Sequence, residues 1–233
     1  SLASNIISDV RDGKKLNLED VRSAVEPVVQ SMLRNADAFF WISNLRKRDA
    51  HQYSHAINCS LLAVALGRHM GFAESVLMNL ATGGLLLDIG KSELPQEMLD
   101  NPEPLGKTEM VMMRRHVTFG MQIVESSGVH NLDVMNMIST HHERHDGSGY
   151  PKRLCRNQIP LFGRMAAVID SYDAMTSHRP YRKLMSPHKA LQEIYRQRDV
   201  LYQSDIVEQF MQCLSVYPTG SLVELNSGEV AIV

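Results

Sequence analysis

His141-His142-Glu143-Arg144-His145-Asp146-Gly147-Ser148-Gly149-Tyr150-Pro151 is the stretch on which the reading of this chain turns. Two adjacent imidazoles close an apolar, helix-spaced segment and run directly into acids, a base and a glycine-rich turn. Neighbouring residues on a helix point about 100° apart, so His141 and His142 do not share one apolar stripe. Both can reach a metal ion beside the end of a helix; the plain alternative is a pair of surface histidines before a loop. Residues 132–145 are accordingly read as a helix and 147–160 as irregular chain.

The same punctuation extends in both directions. Asn17 is an N-cap, with Glu19 and Asp20 in the first turn, where acids suit the helix dipole. Apolar residues then recur at helical spacing through Val21, Val25, Val28, Val29, Met32, Leu33, Ala36, Phe39 and Phe40. Pro27 inside this pattern is expected to kink or divide the helix. Residues 49–70 read as a helix that buries Ile57, Leu61, Leu62, Val64, Ala65 and Leu66 and stops at Gly71. Residues 75–87 are almost continuously apolar and so deeply buried. Three prolines make 94–106 a loop, and 108–126, 161–177 and 187–198 are helical. Residues 222–225 and 229–233 flank Asn226-Ser227-Gly228 as a small β-hairpin. The fold class is all-α, a helical bundle with a small C-terminal β-hairpin. Residues 1–45 read as an N-terminal helical segment or linker and 46–233 as the main domain. The apolar, Met-bearing face of the first part is either core or a dimer seam.

With 233 residues and 44% hydrophobic content, the chain can bury one large core or two small ones. A net charge of -2 gives no basic field to recruit a nucleic-acid polymer. Cys59, Cys155 and Cys213 are isolated, which suits a reducing, cytoplasmic setting rather than a disulfide framework. No apolar run reaches 18 residues, and no signal-peptide pattern is present. The chain begins with Ser1 and its first methionine is Met32. It therefore reads as part of a longer protein whose remainder carries a sensor, an anchor or nothing.

Several chemistry-bearing residues fall at helix ends or on one helix face. His51 and His55 are one turn apart. Asp88 follows a buried apolar helix, where the dipole disfavours an anion and calls for a positive partner. His116 is read mid-helix beside Arg114 and Arg115. Asp170 lies inside the apolar run of 165–169, where a carboxylate is costly unless paired or metal-bound. With His141 and His142 these make a nitrogen and oxygen donor set suited to iron, manganese, nickel or zinc. Asp88 and Asp170 are suited to bridging two metals, and two such ions favour phosphoryl displacement. An oxygen-activating di-iron site would use similar ligands.

At this point the chain resembles the HD-GYP domains, metal-dependent phosphohydrolases that open cyclic di-GMP. The likeness covers about residues 46–230. It runs through Arg48-Asp49, His55, Asp88-Ile89-Gly90-Lys91, His116 with Gly120, and the 141–151 stretch. It continues through Ile159-Pro160, Asp170, Asp173-Ala174-Met175-Thr176 and Arg179-Pro180-Tyr181-Arg182. The resemblance implies an HD-type helical bundle holding one or two divalent metals. Its ligands would be His55, Asp88, His116, His141, His142 and Asp170, with Asp88 as bridge and catalytic carboxylate. It implies that Lys91, Asp173, Arg179 and Arg182 meet the substrate phosphates or the attacking water. Arginines suit phosphate through bidentate, charge-assisted contacts; a solvated surface turn is the other reading of Arg179 and Arg182. The 147–151 loop looks like a wall of the site and, in the family, a protein-partner surface. Tyr150 is read as substrate-binding, or as a packing anchor only.

The chain departs from that family at its name-giving pair. Leu87 stands where a histidine precedes Asp88, and leucine coordinates nothing. One metal would keep His55, Asp88 and Asp170, the other Asp88, His116, His141 and His142. His51 either replaces the lost ligand or faces solvent. Two functions stay open: a cyclic di-GMP phosphodiesterase weakened by Leu87, and an inactive domain acting as cyclic di-GMP receptor or protein-interaction module.

Overall fold

The Asn17 side chain accepts hydrogen bonds from the backbone N–H groups of Glu19 and Asp20, at 3.0 and 3.4 Å, and so opens a helix as expected. The computed structural model describes residues 2–35, 51–177, 185–214, 222–224 and 227–232. For His51, Gln52 and Tyr53 only the backbone is described. Helix α1 spans Leu2–Arg11 and α2 Leu18–Arg34. Pro27 does not divide α2. Its ring lies on the exposed face, where water can satisfy the carbonyl that its missing N–H leaves free. The opposite face buries Val21, Val25, Val29 and Met32. With Ala3, Ile6 and Val10 of α1 these residues join the same hydrophobic cluster as the central helices, so this face is core.

The centre is built by α3 (His51–His69) and α4 (Glu74–Leu86), which pack along each other. A 3-10 helix follows at Ile89–Glu93, then α5 (Gln96–Asp100), α6 (Lys107–Arg114), α7 (His116–Ser126) and α8 (Leu132–Thr140). A second 3-10 turn at Arg156–Gln158 leads into α9 (Leu161–Thr176), α10 (Pro187–Arg196) and α11 (Ser204–Leu214). α8 packs on α4 and α9, and α9 packs on α3. The core helices are apolar nearly all round, as a helix enclosed by others must be. Strands β1 (Leu222–Glu224) and β2 (Val230–Ile232) pair antiparallel, with Val223 opposite Ala231. Among the described residues no helix is long and apolar enough to cross a membrane.

Several boundaries differ from the sequence reading. Residues 108–126 form two helices with the break at Arg115, so His116 opens α7 instead of lying mid-helix. The helix expected to reach 145 ends at Thr140. The proline-rich loop contains the one-and-a-half turns of α5. Helix α1 lies within the N-terminal segment expected to be helical, and α11 is a further helix beyond those expected. The amphipathic pattern of α11, with Ile206, Val207, Phe210 and Leu214 buried, is helix-spaced and readable in hindsight.

Candidate metal centre

Five separate segments bring the predicted residues together. His55 projects from α3, Asp88 caps the 3-10 helix that follows α4, and His116 opens α7. His141 caps the C-terminus of α8 with His142 next, and Asp170 and Asp173 lie on α9. Gly90 makes the approach of two of these segments feasible. A Cβ there would overlap the His116 carbonyl and the Gly120 backbone, so only glycine lets the Asp88 turn lie against α7. Gly149 does the same where the loop folds back over His142–Arg144. There the Tyr150 N–H donates to the His142 carbonyl at 3.1 Å, and its ring stacks on His142 with centroids 4.6 Å apart. Glu143 is buried and braces the loop by accepting from the N–H groups of Lys152 (2.7 Å) and Leu154 (3.0 Å).

The hydrogen bonds define what the imidazoles can do. His116 Nδ1 donates to the Met113 carbonyl at 2.6 Å, and His141 Nδ1 to the Ile138 carbonyl at 2.9 Å. A carbonyl only accepts, so in each neutral ring Nε2 carries a lone pair. These two lone-pair nitrogens face each other at 3.4 Å. Asp88 Oδ1 lies 3.3 Å from the first and 3.8 Å from the second. That oxygen is buried and has no hydrogen-bond partner among the described residues. Three acceptors thus converge with no donor between them, an arrangement that a cation resolves. One donor atom from each of Asp88, His116, His141 and His142 lies within 4.8 Å of the others. The residues present therefore fit a bound metal.

Protonation states agree. Burial pushes the His116 pKa down to about 4, with Lys91 and His141 acting in the same sense against Asp88. Burial also lowers His141, and burial with the neighbouring His141 takes His142 well below its usual value. All three are neutral near pH 7, the form that binds metals. Burial would raise Asp88, but Lys91, His55 and His116 outweigh it and hold the carboxylate ionised.

The other half of the cluster is satisfied differently. His55 Nε2 is 3.3 Å from both Asp88 Oδ2 and Asp170 Oδ1. Lys91 Nζ donates closely to the same Asp88 oxygen. Burial alone would lower His55; the carboxylates Asp170, Asp173 and Asp88 overcome it, and its pKa rises well above the ordinary value. Asp170 also lies 3.8 Å from His142 Nδ1 through its second oxygen.

The resemblance implies a catalytic, substrate-facing role for Asp173; in the structure its carboxylate is hydrogen-bonded within the protein. It is buried and turned inward. Oδ2 accepts from His55 Nδ1 at 2.6 Å, and Oδ1 accepts from Asn58 Nδ2 (2.8 Å) and Ser177 Oγ (2.9 Å). Through the short contact to Nδ1 it orients His55. Cys59, isolated from other cysteines in the sequence, packs its sulfur 3.7 Å from both nitrogens of His55. Burial pushes this thiol up to about 12, so it stays protonated. Its spacing of one helical turn from His55 was the signal. Leu87 is 2% exposed and belongs to the core cluster. Arg179, Arg182 and the side chain of His51 lie outside the described residues.

Comparison with known proteins follows the same lines. The HD domain family model matches residues 36–206. The chain is 31% identical to a cyclic di-GMP phosphodiesterase of Pseudomonas aeruginosa over 98% of its own length and 55% of that protein's. It is 36% identical to a cyclic di-GMP phosphodiesterase of Thermotoga maritima over 71% of its length and 45% of that protein's. The chain thus spans about half the length of these relatives. Among solved structures, an HDG"Y"P protein from Bdellovibrio bacteriovorus superposes with a TM-score of 0.71 at 18% identity, covering 91% of this chain and 68% of that one.

Proposed function

We propose, for a chain that belongs to the HD domain family and within it to the HD-GYP group, that it is a metal-dependent phosphodiesterase hydrolysing cyclic di-GMP. The observation that carries this reading is the convergence of Asp88 Oδ1, His116 Nε2 and His141 Nε2 on one point without a donor. Asp88, His116, His141 and His142 would hold a divalent ion there, which would supply Lewis acidity and lower the pKa of an attacking water. Lys91, only partly buried, holds a positive charge at the mouth of the site that can neutralise a phosphoryl oxygen. Tyr150 screens His142 from water with its ring, and burial keeps its phenol neutral.

The polar accounting favours one metal per chain, held by Asp88, His116, His141 and His142. On the His55 side, Asp88 Oδ2 already has the Lys91 ammonium as its cation, and Leu87 supplies no ligand. Three imidazoles and one carboxylate suit iron, manganese, nickel or zinc better than calcium or magnesium.

A second reading, a cyclic di-GMP receptor without turnover, is favoured by Leu87 alone. Metal quantification combined with a cyclic di-GMP hydrolysis assay on the protein and on Leu87→His separates the two. Expected are one ion per chain with measurable cleavage in the unmodified protein, and a second ion with faster cleavage in Leu87→His. Cleavage by Leu87→His alone would end the enzyme reading, tight nucleotide binding without cleavage by the unmodified protein would establish the receptor reading, and metal-loaded protein that neither cleaves nor binds the nucleotide would end both.

A further inference from the structure

Arg114 ends α6 two residues before His116, and its guanidinium lies over the ring of Tyr150, 5.0 Å from the centroid. Tyr150 in turn stacks on His142. The arginine is exposed but held beside the metal centre by a cation–π contact. That contact engages a ring and no acceptor atom, so it leaves guanidinium N–H groups available to a ligand. Among the described residues the Arg114 side chain makes no hydrogen bond or ion pair. Of the other described cations near the site, Lys91 pairs with Asp88 next to the metal position, where the scissile group would lie, and Arg144 donates to the carbonyls of His141 and Glu143 at 3.0 and 2.9 Å.

A cyclic dinucleotide carries two phosphodiesters. The one being cleaved must lie against the metal and Lys91, so the second needs its own counter-charge further out on the rim. The geometry points to Arg114, steadied on Tyr150, as the subsite for that second phosphodiester. This rests on the phosphodiesterase reading above. A planar guanidinium with available N–H groups takes a phosphate in bidentate fashion, which a lysine cannot reproduce.

Arg115 is a built-in control. It is the next residue, also exposed, and lies over Phe119 at 4.8 Å instead of over Tyr150. Cyclic di-GMP hydrolysis and metal content should be measured for Arg114→Ala, Arg114→Lys and Arg115→Ala. Arg114→Ala should raise KM on the order of tenfold with kcat and bound metal little changed. Arg114→Lys should recover part of the loss, and Arg115→Ala should match the unmodified protein. If turnover proves too slow, Kd for cyclic di-GMP on the metal-loaded proteins should follow the same order. An active or nucleotide-binding parent with equal effects from the two alanine variants would overturn the subsite alone, leaving only a diffuse charge effect. A parent that neither cleaves nor binds the nucleotide would overturn both readings.

Discussion

Asp88→Asn is the substitution that bears most directly on the convergence of acceptors. The swap keeps volume and shape. The amide oxygen can still accept from Lys91 and His55 on one side. The amide NH2 then faces His116 Nε2 and His141 Nε2, whose lone pairs lie 3.3 and 3.8 Å from Asp88 Oδ1. A donor thus occupies the direction a cation would take, and one negative charge is lost. Metal affinity should fall by about 100-fold or more, the upper range for altering a metal site's polar partners. At a free metal concentration of 100 Kd the unmodified protein gains about 2.7 kcal/mol from binding. For a chain of this size that is a rise in Tm of roughly 5–10 °C. With Kd weakened 100-fold, the same concentration stabilises Asp88→Asn by only about 0.4 kcal/mol, or about 1 °C.

Calorimetric scans of both proteins, stripped of metal and then reloaded, read these shifts directly. In the stripped state the two should melt close together. The amide ends the confrontation of lone pairs, while Lys91 loses its ionic partner, opposing effects of about 1–3 kcal/mol each. A full metal-dependent rise in Asp88→Asn would refute the reasoning, because the buried Oδ1 would then not be a ligand. So would no rise in the unmodified protein.

Two further outcomes follow from the polar network. Asp173→Asn should destabilise the protein by about 2 kcal/mol, because one amide oxygen cannot accept from His55, Asn58 and Ser177 together. Metal content should remain one ion per chain; a loss of bound metal would mean that His55 is itself a ligand. In the metal-free protein, stability should fall as pH drops from about 6.5 to about 4. His116 has a folded pKa near 4 against about 6.5 unfolded, so the unfolded chain takes the proton first, and this residue alone accounts for on the order of 3 kcal/mol. His141 and His142 act in the same sense. Over this window His55, raised, is protonated in both states, and Asp88 and Asp170, held low, contribute only below about pH 4. Urea midpoints at pH 7 and pH 4.5 test this, and equal midpoints would contradict it.

Much of the bundle was legible because its helices carry their own punctuation. Asn17 caps as read, the 75–87 run is a buried helix within one residue of its expected ends, and residues 222–224 and 230–232 pair as the expected strands. The helix break at Arg115 was not legible, since no proline or glycine marks it. It arises where α6, with no buried residue, gives way to α7, whose first residue is buried. The candidate ligands were legible as residue types at helix ends, but which oxygen of Asp88 lacks a partner depends on where Lys91 lies across the turn.

Asp170 and Asp173 show why the remaining roles could not be read in advance. Both are acids on one helix, three residues apart, and nothing in their chemistry separates a substrate contact from an imidazole's support. The difference is rotation: three residues turn a helix through about 300° and raise it about 4.5 Å, leaving the two carboxylates roughly 60° apart. That offset aims Asp170 at His55 Nε2 and His142, and sends Asp173 past them to His55 Nδ1. Its partners Asn58 and Ser177 confirm the direction from two other positions, one on α3 and one at the end of α9. His55 and Asp173 are 118 residues apart in sequence, so only the packing of α3 on α9 brings them together. A motif preserves the identity of such residues, while the crossing of two helices decides which neighbour each carboxylate faces.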